Sequence, residues 1–290
     1  IWGMAFVSQS KGMDYMHPFT FNGVRSLIGA VGILVYILIS RKIAGDKAAK
    51  LDWKLNVKAG LLCGIFLTIA STLQQFGIKY TSVGKAGFIT TLYIIFVPMF
   101  GIFLKKKVAP VVWAAAGMAA VGMYLLCMTE SLRLGAGDIM VFLCAIAFAI
   151  QIMTVDHYAA RIDGAVVSCI QFTVCGVVCC IGALIWGQPT FGQIQEGLGA
   201  LLYAGVLSCG VGYTLQIVGQ KGLNPTVAAL IMSLESVIAT ISGWIAYKIG
   251  FLSTDQTLTS RQIAGCVIVF AAVILVQLPP EWFRFGKKNA

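Results

Sequence analysis

Residues 72–79 read Thr-Leu-Gln-Gln-Phe-Gly-Ile-Lys and residues 214–221 read Thr-Leu-Gln-Ile-Val-Gly-Gln-Lys, so five of eight positions coincide at an offset of 142 residues. The register carries forward, with Ala86 on Ala228, Ile89 on Ile231, Leu92 on Leu234 and Gly101 on Gly243. Both copies lie inside long apolar stretches. A chain that repeats itself by halves in apolar sequence points to one kind of fold, a duplicated bundle of membrane helices.

Composition says what surrounds the bundle. Hydrophobic residues make up 59% of the 290-residue chain, charged residues 11%, and mean hydropathy is +0.88. Soluble domains carry about 25% charged residues, so most of this surface faces lipid. A spanning helix needs about 20 apolar residues. The sequence holds ten apolar segments, near 1–10, 18–40, 56–78, 83–104, 108–128, 138–160, 164–187, 197–219, 225–247 and 261–278, of which only the first falls well short of that length. Pro18, Pro110 and Pro225 stand where a helix begins without losing a backbone hydrogen bond. The first segment rises only about 15 Å, half a bilayer, so its beginning is expected to precede Ile1.

The net charge of +10 would also suit a nucleic-acid binder, but the positives cluster in short loops: Arg41, Lys42, Lys47, Lys50, Lys54, Lys58 and Lys105–Lys107. Loop Lys/Arg bias orients membrane proteins, and no nucleic-acid partner is expected. With the N-terminus inside, inner loops hold fourteen Lys/Arg and outer loops six. That bias places both termini on the cytoplasmic side of a cell (inner or plasma) membrane. Five helices per half is odd, so the second half must lie inverted relative to the first. The expected fold is all-α and integral to the membrane: ten helices in two inverted five-helix repeats, 1–128 and 137–279, then a basic cytoplasmic tail, 280–290.

The nine cysteines mostly sit in apolar stretches as small packing residues. Cys175 and Cys179 share a helix face, yet no histidine or acid lies nearby to complete a metal site. No metal, no cofactor and no catalytic residue is expected. The expected partners are the bilayer and a small-molecule substrate, in a monomer or a homodimer.

The offset of 142 pairs Tyr93 with Glu235, each near the middle of its segment. Twofold-related midplane positions are where duplicated bundles hold a ligand. Glu235 is the only carboxylate deep in any segment. A charge there costs about 2.5–3.5 kcal/mol on insertion scales. It reads as a cation-binding group or proton carrier, or else as a protonated acid joining helices. Arg25, seven residues after Pro18, suits a carboxylate or phosphate, or a gate or ion pair, and an offset of 146 maps it onto Gln171. Trp2, Phe6, Gln9, Gln151 and Tyr213 are aromatic or amide groups near the expected crevice, although membrane aromatics also serve packing and interface belts. Gln74 and its mate Gln216 lie about one turn from helix ends and, with Gln171, are expected to bond helices together or gate them.

Trp2-Gly3-x-x-Phe6-Val7, Pro18 with Arg25, and Ser233-Leu234-Glu235-Ser236-Val237 with Gly243-Trp244 resemble, in this order and with the halving repeat, the EamA-type drug/metabolite transporters. The resemblance spans nearly the whole chain. It implies a central cavity between helices 1–4 and 6–9, with helices 5 and 10 peripheral, and solute movement by alternating access, often export of amino acids or other small metabolites. Two departures stand out. Ser236 replaces the usual proline after Leu-Glu, and the glutamate usual at the ends of helices 4 and 9 is absent, with Lys105–Lys107 and Tyr247-Lys248-Ile249 in those regions.

The leading expectation is a secondary transporter of a small amphipathic metabolite, with Glu235 the best carrier if protons are coupled. No Gly-x-x-x-x-Gly-Lys-Ser/Thr phosphate loop is present to drive pumping by ATP. A membrane enzyme would need clustered nucleophile, base or metal ligands, and the two histidines, His17 and His157, both sit near helix ends. A scaffold or sensor that moves nothing is the remaining alternative.

Overall fold

In a computed structural model the chain is helical throughout, with no strand among the described residues 1–45, 51–81, 83–104, 109–127, 135–252 and 257–278. The first half holds α1 (Trp2–Gly12), α2 (Pro18–Ala44), α3 (Trp53–Ile78), α4 (Val83–Thr91), α5 (Tyr93–Phe103) and α6 (Pro110–Cys127). The second holds α7 (Ala136–Ala159), α8 (Gly164–Gly182) with a π-helical turn Ala183–Gly187, the short α9 (Phe191–Glu196), and α10 (Leu198–Leu202). A π-helical stretch, Tyr203–Gly212, joins α10 to α11 (Tyr213–Gly219), and α12 (Pro225–Met232), α13 (Leu234–Lys248) and α14 (Ser260–Gln277) complete the chain. Among the described residues, seven helical stretches are long and apolar enough to cross a bilayer, with shorter apolar helices at Pro110–Leu125 and Ser260–Leu275. Lys47, Lys50, Lys105–Lys107 and the tail 280–290 lie outside the described residues.

Local chemistry sets the helix starts. Pro18 opens α2 behind His17, whose Nδ1 accepts from the Phe19 amide, and Pro225 opens α12 behind Asn224, whose side chain accepts from the Thr226 amide at 2.9 Å. Each cap satisfies one of the amides a helix start leaves free. Large apolar side chains such as Ile43, Phe103 and Val267 point outward and exposed, the inside-out pattern of a bundle solvated by lipid.

Helices of the two halves interlock: α2 packs on α8, α3 on α7 and α8, α1 on α13, and α6 on α14. Glycine permits the closest approaches. A Cβ on Gly29 of α2 would stand 2.7 Å from Cys209 Cβ and 2.9 Å from the Gly205 carbonyl, so α2 touches the backbone of the π-helical stretch. Packing of small residues is what holds helices together where lipid removes the hydrophobic drive. At one end of the bundle Asp138 accepts from Thr81 Oγ1 at 2.7 Å, from Lys85 Nζ at 2.6 Å and from the Gly135 amide at 2.8 Å, clasping the start of α4 to the start of α7.

Two segments that read as continuous in the sequence are interrupted. α4 gives way to α5 at Leu92, and α12 to α13 at Ser233. At both points hydroxyls of the chain itself take carbonyls from the preceding turn: Thr91 Oγ1 donates to Gly87 O and Phe88 O, and Ser233 Oγ to Leu230 O at 2.6 Å. Such back-bonding bends helices. Backbone bonds tighten there to three-residue spacing, Ile95 N to Leu92 O and Ser236 N to Ser233 O.

Candidate functional site

The two helix interruptions place the central pair of the site. Tyr93 is the first residue of α5, and Glu235 is the second of α13, in the first turn where the amide end of the helix favours a carboxylate. Tyr93 Oη donates to Glu235 Oε1 at 3.0 Å. The pair faces a central cavity with about 640 Å³ of empty space, its open mouth included.

Trp2, Phe6 and Gln9 of α1, Arg25 of α2, Gln74 of α3, Gln151 of α7, Tyr213 and Gln216 of α11 line the same cavity. Gln171 is fully buried behind this wall, where it accepts from Gln151 Nε2 at 3.5 Å. Neither α6 nor α14 contributes a lining residue.

The polar groups form two clusters. Gln74 Nε2 donates to Thr90 Oγ1 at 3.2 Å, one turn before Tyr93. Across the cavity Gln216 Nε2 donates to Gln151 Oε1 at 3.4 Å and to Gln220 Oε1 at 3.3 Å. Amide donors and acceptors are thereby spent on each other, yet Gln9 Oε1 and Gln216 Oε1 have no partner among the described residues. Buried polar atoms left so are costly, and here they border a cavity.

Arg25 is 6% exposed, with its guanidinium 5.4 Å over the Phe21 ring. Among the described residues its Nε has no hydrogen-bond partner, and no carboxylate lies within ion-pair distance. A buried guanidinium normally has an anion to pair with. The cavity that Arg25 and Glu235 share has an aromatic wall: Trp2 and Tyr213 rings lie 4.7 Å apart, and Phe172 meets Tyr213 edge-on at 5.1 Å. Trp2 Nε1 reaches the Ser208 carbonyl at 3.4 Å, within the π-helical stretch.

The cavity also holds residues that sequence reasoning does not assign to the site: Ser26, Ser71, Thr90, Phe148, Phe172, Cys175, Cys209 and Met232. One signal for them is present. Ala5-Phe6-x-x-Gln9 recurs as Ala147-Phe148-x-x-Gln151, again 142 residues on, so Phe6 and Phe148 face one cavity as do Gln9 and Gln151. Cys175 accepts from Ser26 Oγ at 3.4 Å and lies as close to Ser71 Oγ, tying α8 to α2 and α3. Among the described residues no three His, Cys, Asp or Glu side chains stand close enough to hold a metal.

The arrangement is that of a ligand cavity at the centre of a helix bundle. Sequence comparison assigns the bundle: residues 1–128 and 135–278 each match the EamA-like transporter family. The chain belongs to that family. An uncharacterized transporter of Archaeoglobus fulgidus is 27% identical over 284 residues, covering 96% of this chain and 82% of the relative. Another from Clostridium kluyveri is 22% identical, covering 93% and 85%, and the uncharacterized transporter YoaV of Bacillus subtilis is 21% identical, covering 100% and 95%. A solved crystal structure superposes with a TM-score of 0.72 over 98% of both chains at 15% identity, a likeness of fold. As a member of the EamA-like family, this is a multi-pass membrane protein of transporter rather than enzyme lineage.

Proposed function

We propose that this chain is a secondary transporter that exports a small zwitterionic metabolite, an amino acid or a related amphipathic solute, by alternating access. In this reading ten spans form two inverted five-helix halves, both termini face the cytoplasm of the cell membrane, and the solute binds between the halves.

One observation carries the reading. A guanidinium without a carboxylate partner among the described residues, Arg25, and a carboxylate held by a phenol, Glu235 on Tyr93, line the same aromatic-walled cavity. A solute with a carboxylate for Arg25 and an ammonium for Glu235 would neutralise both charges at once. Each charge is expensive in the membrane without such a partner. Glu235 is also the group to carry a coupling proton: it binds the solute's ammonium when ionised and releases it when protonated. The paired interruptions at Leu92 and Ser233 support movement there, since broken helices in corresponding positions commonly mark transporter sites.

Reconstituted protein should move amino acids down or against a pH gradient, and Glu235→Gln should abolish the gradient-driven component. Undiminished coupled flux in that variant would sink the proton role. Liposomes that show no solute flux at all would favour a scaffold or sensor instead.

A further inference from the structure

Away from the cavity, α2 and the α10–α11 helix part company. They touch at Gly29 and Gly205, but a Cβ on Gly32, one turn along, meets nothing within 4 Å. Beyond that point a cleft with about 1280 Å³ of empty space, its open side included, separates their ends. Tyr36 and Val218 form its apolar entrance and are exposed on the lipid-facing surface. Arg41, Arg161 and Lys221 converge on its polar end.

The carboxylates beside these cations are already engaged. Asp163 Oδ1 caps α8 by accepting from the Ala165 and Val166 amides at 3.0 and 3.2 Å, and Asp52 Oδ1 caps α3 by accepting from the Leu55 amide at 3.0 Å. Arg41 reaches Asp163 only at 3.9 Å. Arg161 spends one nitrogen on the His157 carbonyl at 3.2 Å, and Lys221 has no carboxylate within ion-pair distance among the described residues. The cleft lining therefore sets three cations, Arg41, Arg161 and Lys221, against two carboxylates, Asp52 and Asp163, an excess of positive charge in a cleft that Tyr36 and Val218 also line.

We infer that this cleft binds an anionic phospholipid, with its phosphodiester among Arg41, Arg161 and Lys221 and an acyl chain between α2 and the α10–α11 helix. The shape selects the whole lipid over a free anion, because the apolar entrance gives nothing to a soluble phosphate. The chemistry is that of basic pockets between membrane helices, which hold anionic headgroups. A lipid seated there bridges the two helices that carry Arg25 and Tyr213 into the central cavity.

The test uses the full chain in a neutral detergent. Phosphatidylglycerol is added at the same mole fraction as phosphatidylcholine, and thermal unfolding is monitored. A ligand of the folded state raises its melting temperature, so phosphatidylglycerol should stabilise by several degrees more than phosphatidylcholine. Arg161→Gln combined with Lys221→Gln should lose most of that increment, whereas the charge-matched Lys54→Gln with Lys58→Gln should keep it. Val218→Trp, which fills the apolar entrance and leaves every charge in place, should lose it too. An unchanged increment in either cleft variant overturns the assignment. So does an equal loss in the control, or an equal increment from inorganic phosphate alone.

Discussion

Tyr93 and Glu235 are 142 residues apart in the chain and 3.0 Å apart in space, the phenol donating to the carboxylate. The two occupy equivalent places after equivalent helix interruptions, so the repeat brings a donor from one half to an acceptor in the other. Tyr93→Phe keeps the ring and removes the donor. A hydrogen bond to a charged group contributes about 1.5–3 kcal/mol, so apparent substrate affinity in proteoliposomes should fall roughly ten- to hundredfold. Unaltered affinity and flux would make the bond a helix fastener only.

Arg25 separates recognition of the acid end of the solute from that of the amine end. Arg25→Gln keeps hydrogen-bonding capacity but removes the charge, and Arg25→Lys keeps the charge but loses the two-pronged geometry. Binding of an amino acid should weaken in both, more in the first. Binding of the corresponding amine without its carboxylate should hardly change. Equal losses for both ligands would show that the guanidinium organises the cavity rather than meeting the solute.

The contact of Gly29 with Cys209 and Gly205 should be intolerant of even one methyl group. Gly29→Ala puts a Cβ 2.7 Å from Cys209 Cβ and 2.9 Å from the Gly205 backbone. Overpacking of that kind costs about 1–3 kcal/mol, visible as a lower melting temperature in mild detergent. Gly32→Ala, with nothing within 4 Å, should be neutral. A Gly29→Ala protein as stable as its parent would mean that α2 shifts freely along this seam.

These residues also show what the sequence could convey. Helix positions were legible because lipid imposes length and polarity on every span, and the repeat offset put Tyr93 and Glu235 in register. The sequence puts Gln74 and Gln216 about one turn from helix ends, where amides fasten or gate helices; in the structure both also line the cavity. The interruptions at Leu92 and Ser233 were illegible because neither glycine nor proline marks them. They arise from Thr91 and Ser233 hydroxyls turning back on their own helices, a choice that a serine or threonine in apolar sequence does not announce. Cys175 and Cys209 read as packing residues and do pack, but one face of each also meets the cavity. Polarity alone cannot report that second contact.

His17, at the start of α2, gives the protein a dependence on pH apart from any transport step. Its Nδ1 accepts from the Phe19 amide at 3.4 Å, and its ring meets Phe76 edge-on at 5.5 Å. Burial, with the nearby Lys79 charge, holds its pKa below the ordinary value of 6.5. Protonation would cancel the acceptor that caps the helix. Above pH 6.5 His17 is neutral in folded and unfolded chains alike, and its contribution to stability is complete. As pH falls below 6.5 the unfolded chain takes up the proton first, so stability declines until the depressed folded value is passed. His17→Asn keeps a capping acceptor that does not titrate. The fall in melting temperature between pH 7.5 and 5.5 should therefore be smaller in His17→Asn than in the parent, and equal falls would assign the pH response to other groups.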